Sequence, residues 1–384
     1  MSEYQYYEFV AVDRPLDQGQ MGRLRALSTR ATITPTGFVN TYNWGDFRGD
    51  PGTLMEQYFD GFLYLANWGT RRVMLRLPAR LVPIEVANRY CVAGPAQAWT
   101  SAGQVILDLS SEHEEGYWEE ADGEGLLAGI IPVRAELLSG DLRGLYLAWL
   151  ACVQAEEVDP DEPEPPVPPG LDRLSASQCG LADFLRIDPD LRAVAAETSS
   201  SLDIAVPTAA EMARWVAEMP APDKDAVLLR LLHDDDPHLR AELLRRFRDH
   251  PPAGNGAHGR RTAGQLLAAA QARQEERERG ESQRLAAEQA RRERVAAAAR
   301  EAHLTDLAGR EPEAWRQVST LIATTRPKDY DAAVVLLRDL RDVSARAGTS
   351  AEFTRRMGQL HQQHQRKPSL IDRMRRAGLI REPV

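Results

Sequence analysis

Apolar and polar positions alternate with period two over RVMLRLP at 72–78, where Val73, Leu75 and Leu77 interleave with Arg72, Met74 and Arg76. That spacing predicts a strand with one buried and one wet face. YYEFVAVD at 6–13, GFVNTYNW at 37–44 and GQVILDLS at 103–110 are three further strand candidates, so a sheet of at least four strands is expected. Between them the period lengthens. DQGQMGRLRALS near 17–28 reads as a helix, as does DPGTLMEQYFDGFLYLANWG at 50–69. The latter offers Asp50 as N-cap and Pro51 at the first helical position, then places Leu54, Tyr58, Phe62 and Leu65 at helical spacing. Residues 1–155 are therefore expected to form an α+β domain with a mixed sheet.

Beyond it the pattern is helical only. EEVDPDEPEPPVPPG at 156–170 packs prolines among acids, which predicts a semi-rigid extended spacer. Residues 171–250 carry amphipathic runs headed by Ser175, by Asp188-Pro189 and by PTAAEM, and DHPPAGNGAHG closes them, leaving 251–261 as a flexible break. Residues 262–305 are dominated by Ala, Arg, Glu and Gln, strong helix formers, and predict one long charged helix. Its apolar residues Leu266, Leu267, Leu285 and Val295 sustain no heptad seam, so a solvated strut with a weak point at Gly280 is expected in preference to a stable coiled coil. Residues 306–384 return to packed helices, with Trp315, Val318, Ile322, Val334, Leu337, Leu340, Phe353, Met357, Leu360, Leu370 and Met374 at helical spacing.

Asn-Trp-Gly occurs twice, at 43–45 after a strand candidate and at 67–69 after a helix candidate. Unlike flanks argue against a repeat. Each glycine suits a chain reversal, with Trp44 and Trp68 anchoring it by burying their rings. A sharper alternative is an aromatic cleft for a small molecule or peptide, lined by Tyr42, Trp44, Asp46, Trp68, Arg71 and Arg72.

Charge adds an asymmetry. Of the 384 residues, 1–250 carry 22 Lys and Arg against 40 Asp and Glu, whereas 251–384 carry 25 against 17. An acidic body precedes a basic arm, which calls for an acidic counterpart: a protein partner, nucleic acid or the body itself. Arg291, Arg292, Arg294, Arg373, Arg375 and Arg376 form the candidate basic surface. No apolar run approaches the roughly 20 residues of a membrane span, and MSEYQYYEF lacks the features of a secretory signal, so no membrane partner and a cytoplasmic location are expected. Cys91, Cys152 and Cys179 are far apart and fit buried reduced thiols.

Two resemblances add to this reading. YYEFVAVDRPL, ATITPTGFVN, NWGDFRGDP, FLYLANWGT, EPPVPPGL and FLRIDPDL, within 6–190, resemble a widespread bacterial family that is itself uncharacterised, so the likeness implies no activity. EAWRQVSTLI, RPKDYDAAVVLLRDLRDV and HQRKPSLIDRMRRAGL, within 313–379, are similar to the C-terminal tail of bacterial SWIM zinc-finger proteins. The CxC and CxH pairs of a SWIM zinc site do not occur here, so the resemblance implies a shared docking role and no zinc.

Catalytic templates find little to hold. There is no GxxxxGK[ST], GxSxG or HExxH, and DGEGLLAG at 122–129 lies in an acidic loop that repels phosphate. HDDDPH at 233–238 has metal-binding residue types, but Asp236 before Pro237 fits a helix start better. The acidic run SSEHEEGYWEEADGEG at 110–125 fits a solvated loop or an internal partner for the arginine-rich arm. No cofactor, metal or catalytic residue is expected. The expected function is that of an adaptor docking a protein partner through its basic C-terminal helices. The alternatives are a nucleic-acid-associated factor and, behind it, an enzyme using the aromatic cleft.

Overall fold

The computed structural model describes residues 4–112, 123–201, 208–233, 236–248 and 261–380. The chain divides into two compact units, Met1–Glu276 and Arg277–Val384. Residues 113–122 of the acidic run 110–125 and residues 251–260 of the expected break 251–261 lie outside the described residues.

Among the described residues seven strands build the sheet of the first unit: β1 (Gln5–Val10), β2 (Thr32–Thr34), β3 (Gly37–Tyr42), β4 (Gly61–Ala66), β5 (Arg71–Pro78), β6 (Ala96–Ser101) and β7 (Gln104–Ser111). Their order is β2-β3-β1-β4-β5-β7-β6 and every pairing is antiparallel, not mixed. Short connections such as those joining β4 to β5 and β6 to β7 allow only this arrangement, because parallel neighbours need long crossovers. The fold is α+β.

Both sheet faces are covered. Tyr6, Leu63, Leu65, Val73, Leu75, Leu77 and Leu107 enter one core, whereas Phe9, Phe38, Phe62, Met74 and Ile106 enter the other. The second core lies under α1 (Gln18–Leu27) and α2 (Pro51–Gln57), which contribute Leu24, Leu54 and Met55. Met74 is thus buried, and the wet face expected of β5 keeps only its arginines.

The run 50–69 is not one helix. Asp50 caps α2 as expected, its carboxylate accepting from the Thr53 N–H at 2.7 Å, but the helix stops at Gln57 and the chain enters β4. Asp60 fixes the switch. Its buried carboxylate accepts the N–H groups of Val12 (2.7 Å) and Asp13 (2.9 Å) and the Arg76 guanidinium (2.9 Å). At Gly61 a Cβ would fall 2.4 Å from Ile131 Cδ1, so a larger residue would have to displace the Ile131 side chain. Because β4 is buried on both faces, GFLYLA shows no polar alternation, and its period cannot be told from that of a buried helix. Asn67-Trp68-Gly69 therefore forms the tip of the β4–β5 hairpin, where Gly69 takes φ 100° and donates to the Ala66 carbonyl at 3.1 Å.

Helices α3 (Ile84–Ala87), α4 (Leu126–Ile130), α5 (Pro132–Leu138), α6 (Arg143–Gln154), α7 (Ala176–Phe184) and α8 (Pro189–Ala196) contribute to the first core. Ser175 and Gln178 form a capping box at α7, and Asp188 caps α8. Residues 145–153 of α6 are buried all round, which marks a central helix.

The proline-rich segment is no spacer. Val158 and Glu164 are buried. Glu164 accepts from the Tyr146 hydroxyl and from the Arg261 guanidinium at 3.0 and 3.1 Å. The Pro166 carbonyl takes the Tyr90 hydroxyl at 2.7 Å, and the Pro168 carbonyl takes Ser199 Oγ at 2.8 Å. Proline forfeits a donor but not an acceptor, so side-chain hydroxyls tie the segment down. Arg261 neutralises Glu164, the one buried acid of the segment, while Glu156, Glu157, Asp159, Asp161 and Glu162 remain exposed to solvent.

Helices α9 (Ala209–Glu218), α10 (Ala221–His233) and α11 (Leu239–Arg248) follow within the same unit. Helix α12 (Ala263–Gly309) runs unbroken through Gly280 for 47 residues. Its first turns bury Ala263, Leu266 and Ala270, and every residue at 281–303 is exposed. Leu304 and Leu307 then join the core of the second unit with α13 (Glu311–Ala323), α14 (Pro327–Arg346), α15 (Ser350–Gln363) and α16 (Pro368–Arg376). The expected apolar positions, from Val318 to Met374, meet in this core. Buried Asp339 pairs with Arg300 (2.5 Å) and His303 (2.9 Å) of α12.

Candidate interaction surfaces

The six residues of the expected cleft do not converge. Tyr42 is half-buried and packs edge-on against Tyr7, centroids 5.8 Å apart. Asp46 Oδ1 accepts from Gln5 Nε2 at 3.1 Å, and Gln5 Oε1 in turn accepts the hydroxyls of Tyr7 (2.8 Å) and Tyr64 (3.1 Å). Burial, with each ring close to the other, pushes the Tyr7 phenol above its ordinary value, and burial raises Tyr64. Arg72 lies on this face but is held by both oxygens of Asp108 at 2.7 and 2.8 Å. That pairing raises its pKa.

Arg71 points to the opposite face. There it donates to the carbonyls of Asp183 (3.1 Å) and Phe184 (3.2 Å), and burial beside Arg186 lowers its pKa to about 10. Trp44 is 68% exposed with the Arg30 guanidinium 4.9 Å from its ring, and Trp68 on the hairpin tip is 47% exposed. Neither tryptophan buries its ring, so the reversals rest on their glycines and hydrogen bonds. The arrangement is a polar network beneath the sheet surface, in which Arg72 is paired with Asp108 and Arg71 is held by backbone carbonyls.

A largely buried cluster that draws His238 from the HDDDPH run lies at the end of β1. Asp13 accepts from Arg134 Nη1 at 2.8 Å and pairs with His238 Nε2 at 2.8 Å. Burial alone would raise the Asp13 carboxyl, but the hydrogen bonds from His238 and Arg134 outweigh it and hold it at about 2. Asp236, expected as a helix cap, accepts from the His238 N–H at 3.0 Å and from Arg80 and Arg230 at 2.7–2.8 Å. Its surroundings are cationic, the opposite of a metal site. Among the described residues no three His, Cys, Asp or Glu side chains gather as metal ligands. Cys91 and Cys152 are buried, and burial pushes the Cys91 thiol to about 12, but Cys179 is exposed where a buried thiol was expected.

The candidate basic surface divides by pairing. Arg292 is engaged by Glu288, Arg373 by Asp331 at 2.7 Å, and Arg376 by Asp372 at 2.8 Å. Arg291 and Arg294 on α12 and Arg375 on α16 are exposed and make no ion pair among the described residues.

A cavity of about 650 Å³ opens on α9, α10 and α11, lined by Met212, Val216, Val227, Leu231, Leu243 and Phe247 among others. Trp215 and Phe247 meet edge-on in it at 5.7 Å. No motif pointed to it; the available signal was an excess of leucine in α10. Among the described residues no helix is long and apolar enough to cross a membrane. Comparison of the chain with protein-family models, curated proteins and solved structures gives no match.

Proposed function

We propose that this chain is a non-enzymatic adaptor of the cytoplasm whose basic helical unit, Arg277–Val384, docks a protein partner bearing acidic side chains. The observation carrying this reading is the disposition of its cations. The unit holds 22 Lys and Arg against 15 Asp and Glu, and Arg291, Arg294 and Arg375 stand in solvent with no internal partner among the described residues. Its large apolar residues are mostly spent in its own core, so the surface offers chiefly guanidinium groups, whose planar donors suit carboxylates. The likeness of 313–379 to the SWIM tail supports the same docking role. Glu281, Glu288 and Glu293 interleave with the arginines of α12, which favours a protein over a continuous track of phosphates.

The test is capture from a lysate of the encoding organism by the full chain and by its R291E/R294E/R375E variant. A partner retained by the wild type, lost from the variant and released by salt is the expected result. Capture that is equal for both, or that vanishes on nuclease treatment, would overturn the reading, the latter in favour of nucleic acid.

A further inference from the structure

Helices α9–α11 join the sheet through charge and scarcely through apolar contact. Among the described residues, Ala241 is the one apolar side chain of 208–248 that packs against either core of the sheet. Leu239 is buried but lines the cavity of the three helices themselves, and Leu228, Leu229, Leu231 and Leu232 of α10 face solvent. What crosses the junction is polar. Arg80, just beyond β5, reaches Asp236 at 2.8 Å and Glu242 at 3.4 Å, and Asp13, beyond β1, meets His238 at 2.8 Å.

Parting these groups leaves no carboxylate alone. Asp236 keeps Arg230 at 2.7 Å, and Glu242 keeps Arg230 and Arg246, each at 2.9 Å, all of them within 208–248. On the sheet side Asp13 keeps Arg134 at 2.8 Å, and the Arg80 side chain, already 44% exposed, passes into water. Breaking an ion pair is costly when one partner is left buried and uncompensated, and no group at this junction meets that fate. Separation also uncovers little apolar area, the term that holds most packed elements together. The attraction that remains is of the kind that salt screens.

We propose that α9–α11 form an arm that undocks from the sheet as one folded piece, with Arg80 and Asp13 as its latch and ionic strength setting the balance. Docked, the arm covers Asp13; undocked, it bares Asp13, Arg134 and Arg80 at the end of the sheet. An opening of this kind is local and leaves the sheet folded. The device is separate from the basic unit and stands whether or not that unit docks a partner.

Spin labels at E85C of α3 and A226C of α10, both exposed positions, in the full chain carrying C179S, report the distance across the junction. A single narrow distance is expected at about 20 mM sodium chloride, and a second, longer population, at least roughly threefold larger, at about 0.5 M, where the screening length is several-fold shorter. R80A, a change at a half-exposed side chain, and H238A each show the longer population at low salt. L229E, on the solvent face of α10, does not. Circular dichroism is unchanged throughout, because the helices stay folded. One distance at both salt concentrations and in R80A would overturn the proposal, as would a longer distance accompanied by loss of helix, which would mean that the arm melts in place of undocking.

Discussion

Asp13 and His238 are 225 positions apart in the chain, yet their carboxylate and imidazole meet at 2.8 Å, tying the end of β1 to the start of α11. Arg134, buried in α5, completes the contact from a third element. Because the Asp13 carboxyl drops from its ordinary 3.8 to about 2 on folding, its contribution is full above about pH 4 and is lost as pH falls through about 2. Asp13→Asn is expected to cost about 2 kcal/mol at pH 7, since it leaves Arg134 poorly compensated. Urea unfolding of both proteins at pH 7 and near pH 2 checks this: the gap closes in acid. An equal gap at both values would remove Asp13 from the account.

The glycine and the tryptophan of the β4–β5 hairpin have opposite roles. Gly69→Ala forces a Cβ into φ 100° and is expected to destabilise by about 1 kcal/mol. Trp68→Ala, at a ring nearly half in water, stays within about 0.5 kcal/mol. Thermal melts of the two variants decide the matter, and a larger loss for the tryptophan would revive its role as an anchor.

Legibility followed burial. β1, β3, β5 and β7 were readable because they alternate or lie between clear turns, and the second unit because one face of each helix stays polar. β4 was not, being buried on both sides with Asp60 and Gly61 as the only local marks of its start. The packing of 156–170 depends on Glu164 and Arg261, 97 positions apart, and no local pattern announces such a pair. Of the candidate site residues, Arg71 and Arg72 show the limit best: adjacent in sequence, they fall on opposite sheet faces by the period of two. Which arginines keep a free guanidinium was equally hidden, because it depends on partners such as Asp331 for Arg373.

Asp339 is the chief polar tie between α12 and α14. Asp339→Ala frees His303 and leaves Arg300 with Asp342 alone at 2.8 Å, both cations being about half exposed, so the expected cost is about 1 kcal/mol. In the full chain, amide hydrogen exchange should accelerate in α13–α16 and stay unchanged in β4 and β5. Acceleration throughout, or none, would contradict the division into two units at this point.

The exposed stretch of α12 is a solvated helix and not half of a coiled coil. Leu285 and Val295 are 67% and 63% exposed, so L285E/V295E is expected to change the melting free energy by less than about 0.5 kcal/mol. Circular dichroism on dilution checks the same point. Loss of helix in the variant, or helicity that falls with concentration in the wild type, would indicate a partnered seam.

The docking role given to Arg277–Val384 is tested most directly by a photocrosslinking amino acid placed at position 375 in cells, beside an identical probe at exposed position 172 of the acidic unit. A discrete adduct with an acidic protein at 375, and none at 172, is the predicted result. Adducts with nucleic acid at 375, or no adduct specific to that position, would contradict it.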